Sequence, residues 1–345
     1  MKKIVVISVI VLFVGMSFTS ISGNQINNKV IKSSNKGNIL YVGGSGEGNY
    51  SKIQDAIDNA SDGDTVFVYD DSSPYNDEVK VDKSINLIGE DRDTTVIDDW
   101  ITFEVGGVNI SGFTIKNDGI DAFFSNYIIS DNHFISCFSG IYLIGEDSVI
   151  ISNTFKNCLF SIYNEGSNNV RITNNVFINL PEYYTEGVIF CVGGSNHVIR
   201  NNTFINYEKE EYGAGVHFEL TDSSIIEDNE FNGYSDCAIW TYWSRNNLIS
   251  HNTFINNDLG ICIGFFSGSN RIINNNFVNN NKDAMSMILA KNIFDGNYWD
   301  DWIGLKYPIL SFLPYFHFEP LGSFIDWHPA KEPYNMTTTQ EYDLV

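Results

Sequence analysis

Short apolar runs alternate with Asn, Asp, Ser and Gly along most of this chain, and the alternation is periodic. An Asn-x-Phe unit stands at Asn132/Phe134, Asn153/Phe155, Asn175/Phe177, Asn202/Phe204, Asn229/Phe231, Asn252/Phe254, Asn275/Phe277 and Asn292/Phe294. Phe113 precedes Phe134 by 21 residues, and the spacings that follow are 21, 22, 27, 27, 23, 23 and 17. In the seven units from Phe134 to Phe277 the residue five before the Phe is Ile: 129, 150, 172, 199, 226, 249 and 272. Eight before it stand Asn126, Asp147, Asn169, Asn196, Ser223, Asn246 and Ser269. Neither the regular Leu of leucine-rich repeats nor the 3.6-residue period of helical repeats is present.

Each column has a physical role. A coil of ~20 residues returns to the same point once per turn, so like residues stack at the ~4.8 Å spacing of paired strands. Asn two before the Phe is placed at a bend, where its amide tolerates the left-handed conformation, and stacked amides bond from rung to rung. The Asn/Asp/Ser column marks a second bend. A third strand begins near Gly140-Ile141, Ser161-Ile162, Gly187-Val188, Gly215-Val216, Ala238-Ile239, Gly260-Ile261 and Ala284-Met285. The pattern therefore predicts an all-β right-handed parallel β-helix, a solenoid of about ten rungs with three short strands per rung.

A solenoid needs its open ends covered. Residues 51–60 form an amphipathic segment with Ile53, Ala56, Ile57 and Ala60 on one face and Ser51 as N-cap, predicting a capping helix. A first strand is expected at Thr65 to Tyr69. Beyond Gly296 the rhythm stops, and residues 297–345 read as an irregular, aromatic capping tail. Lys2 and Lys3 followed by the apolar run Ile4 to Phe18, then Ser20 and Ser22, read as a signal peptide over 1–22, cleaved before Gly23. An uncleaved anchor is the alternative. Residues 23–38 read as a linker, 39–100 as N-terminal cap and first rungs, and 101–296 as the repeats.

The Asn-x-Phe coils, the Ile53-to-Asp58 segment leading to Gly63–Val68, and the stretch 85–89 resemble the NosD-like and pectin-lyase-like β-helix families. The tail motifs at 296–302 and 326–334 are similar to secreted archaeal members. The resemblance spans roughly 39 to 335 and implies the fold. It does not fix an activity, because this scaffold hosts lyases, hydrolases, epimerases and inert surface proteins.

Charge narrows the field. The chain carries 20 Lys and Arg against 43 Asp and Glu, a formal net charge of −23. Loss of Lys2 and Lys3 with the leader makes it more negative still. Such a surface repels nucleic acid. After signal removal no apolar stretch approaches membrane length, so the location expected is secreted or cell-surface. Five Cys exclude a complete disulfide framework. Cys137 and Cys158, each three after a Phe, are either a bridged pair or stacked free thiols.

If the residue after each Gly-like position points inward, its successor points out: Tyr142, Tyr163, Ile189, His217, Trp240, Cys262 and Ser286. Two residues on come Ile144, Glu165, Cys191, Glu219, Tyr242 and Gly264. The insertions of the two 27-residue rungs, 178–186 and 205–214, precede two of these strands and bring Tyr183, Tyr184 and Tyr212 beside them. Tyr142, Tyr163, Tyr183, Tyr184, Tyr212, Trp240 and Tyr242 around His217 and Glu219 read as a polysaccharide- or glycan-binding groove, in which rings stack on sugars and carboxylates accept hydroxyl protons. The alternative is a surface without a ligand.

For catalysis the row offers only His217 and Glu219 as a base–orienter pair. The Lys or Arg base of uronate lyases is missing from it, and Arg245 lies in the next turn. Copper wants clustered His, Cys or Met, whereas His133, His197, His217, His251, His317 and His328 occupy different columns. No metal site or cofactor is assigned, although the acidity is compatible with calcium. The leading expectation is a non-catalytic binding or structural module. The alternatives are a polysaccharide lyase or hydrolase, and a NosD-type metal-handling protein.

Overall fold

The computed structural model describes residues 37–179, 187–207, 213–287, 291–304, 307–312 and 324–336. The expected signal peptide, nearly all of the linker, and Tyr183, Tyr184 and Tyr212 lie outside the described residues.

The chain winds into a right-handed parallel β-helix whose three sheets hold 12, 10 and 12 strands. The first sheet runs from Ile39–Val42 to Ile293–Asp295, the second from Val96–Ile97 to Tyr298–Trp299, and the third from Val79–Val81 to Phe324–Asp326. All strand pairs are parallel except the last, Tyr307–Phe312 with Phe324–Asp326. The Ile column lies in the first sheet in unbroken register, 129 beside 150, 172, 199, 226, 249 and 272. The Phe column fills the interior of the second. From Phe134 to Phe277 and on to Trp299, neighbouring rings stack with centroids 4.4–5.3 Å apart. The rung spacing matches an offset ring stack, so a column of Phe buries large apolar area with no mismatch between layers.

The Asn ladder is present and buried. Each amide from Asn132 to Asn275 donates through Nδ2 to the next Asn Oδ1 at 3.0–3.2 Å, and its backbone N–H donates to the same oxygen. Nδ2 also reaches a carbonyl in the preceding rung, such as Ile172 O for Asn202 at 2.8 Å. A lone buried amide would cost stability, and a stacked one is satisfied on both sides. The left-handed backbone is not at these Asn but one residue earlier, at Asp131, Ser152, Asn174, Asn201, Asp228, His251 and Asn274. The Asn126-to-Ser269 column, expected to mark a second bend, is the one that is left-handed at every member.

Several expectations need correction. The ladder ends on Asn297, not Asn292, and Phe294 pairs with Ile272 in the first sheet while Trp299 completes the ring column. Asn292 closes another column through Asn270, so its Asn-x-Phe match is a coincidence of spelling. Phe113 occupies an Asn position, its N–H donating to Asn132 Oδ1, and Ile115 stands in the ring column. The helix spans Ile53–Asn59 with Lys52, not Ser51, at its N-cap and no side-chain cap; burial of Ile53, Ala56 and Ile57 holds it instead. Ile39–Val42 precedes it and pairs with Thr65–Val68, so the latter is the second strand. The tail contributes strands rather than lying irregularly over the end. All five cysteines are free, and Cys137 and Cys158 are buried thiols.

One interior column carries a titratable group. His197 is fully buried, its backbone N–H bonded to Ser224 Oγ at 3.0 Å and its Nε2 3.4 Å from Asn164 Nδ2. Burial lowers its pKa to about 4, against the opposing pull of a Gly193 backbone hydrogen bond. The unfolded chain therefore binds an extra proton between pH ~6.5 and ~4, and stability should fall by about 3 kcal/mol as pH drops through that window. His197→Asn places there the residue that Asn247 and Asn270 supply further along the same column. Urea titrations at pH 7 and 4.5 should show a smaller acid loss in that variant than in the parent; equal losses would exonerate His197.

Candidate functional site

Register defines the outward column of the third sheet as Asp121, Tyr142, Tyr163, Phe190, His217, Trp240, Cys262 and Met285. Two members of the expected row are wrong: Ile189 and Ser286 are fully buried, and Phe190 and Met285 replace them. The strand Gly187–Val192 is apolar after its Gly, so alternation gives no phase, and a one-residue slip reverses every side chain. The second row is Glu165, Val192, Glu219 and Tyr242, and Cys191 points inward.

The rings of this column face one another. Tyr142 and Tyr163 stack at 5.3 Å, Tyr163 and Phe190 at 5.4 Å, Phe190 and His217 at 4.8 Å, and His217 and Trp240 at 4.7 Å with planes 6° apart. Stacking consumes the faces that a sugar would cover. His217, only 3% exposed, is a member of this stack and not the open centre of a cleft. Glu219 stands beside Tyr242 in register, on the rim.

The column opens where a ring is missing. Asp121 occupies the position before Tyr142, and its short carboxylate leaves a groove of about 560 Å³ lined by Trp100, Asp118, Phe138, Ser139, Tyr142, Phe160, Tyr163 and Phe190. Burial raises the Asp121 pKa, and a hydrogen bond from the Trp100 side chain opposes the rise. The Tyr142 hydroxyl donates to Glu165 Oε2 at 2.6 Å, which holds its proton and pushes the phenol up to about 12. Tyr163 is also raised, by burial first and then by Glu165 and Glu219. No Lys or Arg is among the described lining residues.

Of the residues expected at a site, the structure brings Tyr142 and Tyr163 into this groove and leaves Trp240 and Tyr242 rungs away. Trp100, Asp118, Asp121, Phe138, Phe160 and Phe190 were missed. The signal for Asp121 existed: Gly119-Ile120 is one more Gly-Ile pair, a rung before Gly140-Ile141.

Near the other end of the ring stack is a second apolar patch. Leu220, Trp243 and Phe266 are exposed and left-handed, with φ of 53–54°, and the two rings lie 4.4 Å apart. Bulky side chains seldom adopt this backbone. Among the described residues one group of metal-ligating side chains converges, Asp283, Asp300 and Asp301, with carboxylate oxygens within 4.8 Å. Burial raises Asp283 to about 6, against hydrogen bonds from Asn280 and Tyr307. Its donors are all hard oxygens. No described helix is long and apolar enough to cross a membrane.

A family model described as periplasmic copper-binding protein (NosD) matches residues 57–304. No curated protein matches the sequence. Among solved structures, the Dettilon tailspike protein gp208 aligns with a TM-score of 0.55 at 13% identity, over 75% of this chain and 62% of that one. The chain thus spans less than two thirds of the tailspike's length. XylC in complex with xylose aligns at 0.57 and 12% identity, over 81% of this chain and 71% of that one. The Streptococcus pneumoniae surface protein and adhesin PfbA aligns at 0.50 and 15% identity, over 71% and 87%. At these identities the likeness is one of fold.

Proposed function

The chain belongs to the NosD family, and on that scaffold we propose a non-catalytic β-helix that acts outside the cytoplasm and binds a glycan on the outward face of its third sheet. The observation that carries this reading is the aromatic groove over Asp121, apolar enough to take a sugar ring and edged by carboxylates that accept its hydroxyl protons. The periplasmic description of the family, and the tailspike and adhesin among the structural neighbours, support the location.

Copper does not fit the described residues. His197 is sealed in the core and His217 sits within a ring stack, while the one cluster that converges among the described residues offers carboxylates, which suit hard cations.

Screening on immobilised glycans followed by titration tests the reading. Trp100→Ala should weaken binding by about tenfold or more, on the scale of a lost ring contact, with an unchanged melting temperature. Trp240→Ala should have a smaller effect. Binding that survives Trp100→Ala intact would place the ligand elsewhere. The two carboxylates in the groove favour one second reading, a hydrolase with Asp118 and Asp121 as its acid and base. Release of new reducing ends by the parent chain, abolished in Asp121→Asn, would establish that reading in place of the binder.

A further inference from the structure

We infer that the groove over Asp121 selects glycans bearing free amino groups, a β-linked glucosamine polymer being the simplest, over neutral or uronate chains. This rests on the glycan-binding reading above and names its ligand class. Charge complementarity carries it. Asp118 and Asp121 line the groove, Glu165 is bonded to Tyr142 at its edge, and Glu219 lies two rungs further along the same row. No cation stands among the described lining residues, and the chain as a whole is at −23.

Each class of glycan meets this site differently. A uronate would bring carboxylates against carboxylates with no Lys or Arg to bridge them. A neutral sugar would shed water from Asp118 and Asp121 and return hydroxyl hydrogen bonds but no countercharge, so their desolvation is compensated less fully. An amino sugar presents its apolar ring to Trp100 and Tyr142 and its ammonium to the two carboxylates. The aromatic walls add attraction for the same positive charge. The phenols point the same way, since Glu165, Glu219 and Asp121 all act to raise Tyr142 or Tyr163. The field over this face is negative before any ligand arrives.

Calorimetric titration of the chain with hexamers of glucosamine, N-acetylglucosamine and galacturonate is the test, repeated in Asp118→Asn/Asp121→Asn and in Trp100→Ala. The glucosamine hexamer should bind about tenfold or more tightly than the acetylated one, and the galacturonate hexamer should give no heat of binding. The double Asn variant should erase that preference, bringing the two amino-sugar hexamers to equal affinity. A preference that persists in the double variant belongs to the overall charge and overturns the inference. Equal affinity for both amino-sugar hexamers, lost in Trp100→Ala, also overturns it and leaves the groove standing as a glycan site. If none of the three binds, the glycan reading falls with it. Circular dichroism confirms that both variants fold.

Discussion

Phe204→Ala should lower the unfolding free energy by about 3–5 kcal/mol, the cost of a large cavity in a packed core. Phe204 is fully buried, stacked on Phe177 at 4.7 Å and on Phe231 at 4.5 Å. Removing it strips one face from each neighbour, and neighbours fixed by their own strand registers cannot close the gap. Ile199→Ala, in the first-sheet column of the same region, should cost about 2–5 kcal/mol for the same reason. Tyr142→Ala should cost far less, because that ring lies on the outside and is only partly covered. Urea unfolding curves compare the three directly. Similar losses for Phe204 and Tyr142 would show that the inner and outer columns are misassigned.

The second large effect is expected at Asp326. This fully buried carboxylate accepts from the N–H groups of Gly296 at 3.2 Å and His328 at 3.0 Å through Oδ1. Through Oδ2 it accepts from the Asn297 N–H at 2.9 Å, Asn297 Nδ2 at 3.1 Å and Trp299 Nε1 at 3.1 Å. Every ladder amide from Asn132 onward donates one Nδ2–H toward the C-terminal end and accepts at Oδ1 from the rung before, so these bonds run in one direction, and the last one meets a negative charge. The logic is that of an anion at the positive end of a helix dipole. Asp326→Ala leaves the buried Asn297 N–H and Trp299 Nε1–H without their acceptor, at about 1–3 kcal/mol each before water enters. A net loss of about 3–5 kcal/mol is expected, with rapid amide exchange confined at first to residues 293–299. Asp326→Asn keeps one acceptor oxygen and should lose less. A stable Asp326→Ala with protected amides in that segment would remove the carboxylate from its role as terminator.

What could be read from the sequence was what repeats. The Ile129-to-Ile272 column, the Phe134-to-Phe277 column and the bend at the Asn126-to-Ser269 column were all legible, because stacking forces similar residues to recur at one place. Errors arose where the constraint lapses. Asn292 and Phe294 copy the motif but fall in other columns, since a short coil resets the count. The run Val188–Val192 hid its register by being apolar on both faces. The groove escaped because an absence makes it: one Asp among rings, with walls from Trp100 and Phe138 between strands and Phe160 at the start of one, none in a column that repeats. Asp326 was equally invisible, reaching back 29 residues from a non-repeating tail to close the ladder.

Because the described strands of each coil pair with those of the coil before and the coil after, the molecule is also a mechanical object with graded joints. A pull along its long axis loads the hydrogen bonds between successive coils in series, so the end coils peel while the middle stays wound. A 23-residue coil, as between Phe231 and Phe254, releases roughly 80 Å of extended chain, and each 27-residue coil roughly 90 Å. Force–extension traces of the intact chain would read the spacing of its Phe residues as a ruler, with the two longest steps from the coils that carry the insertions.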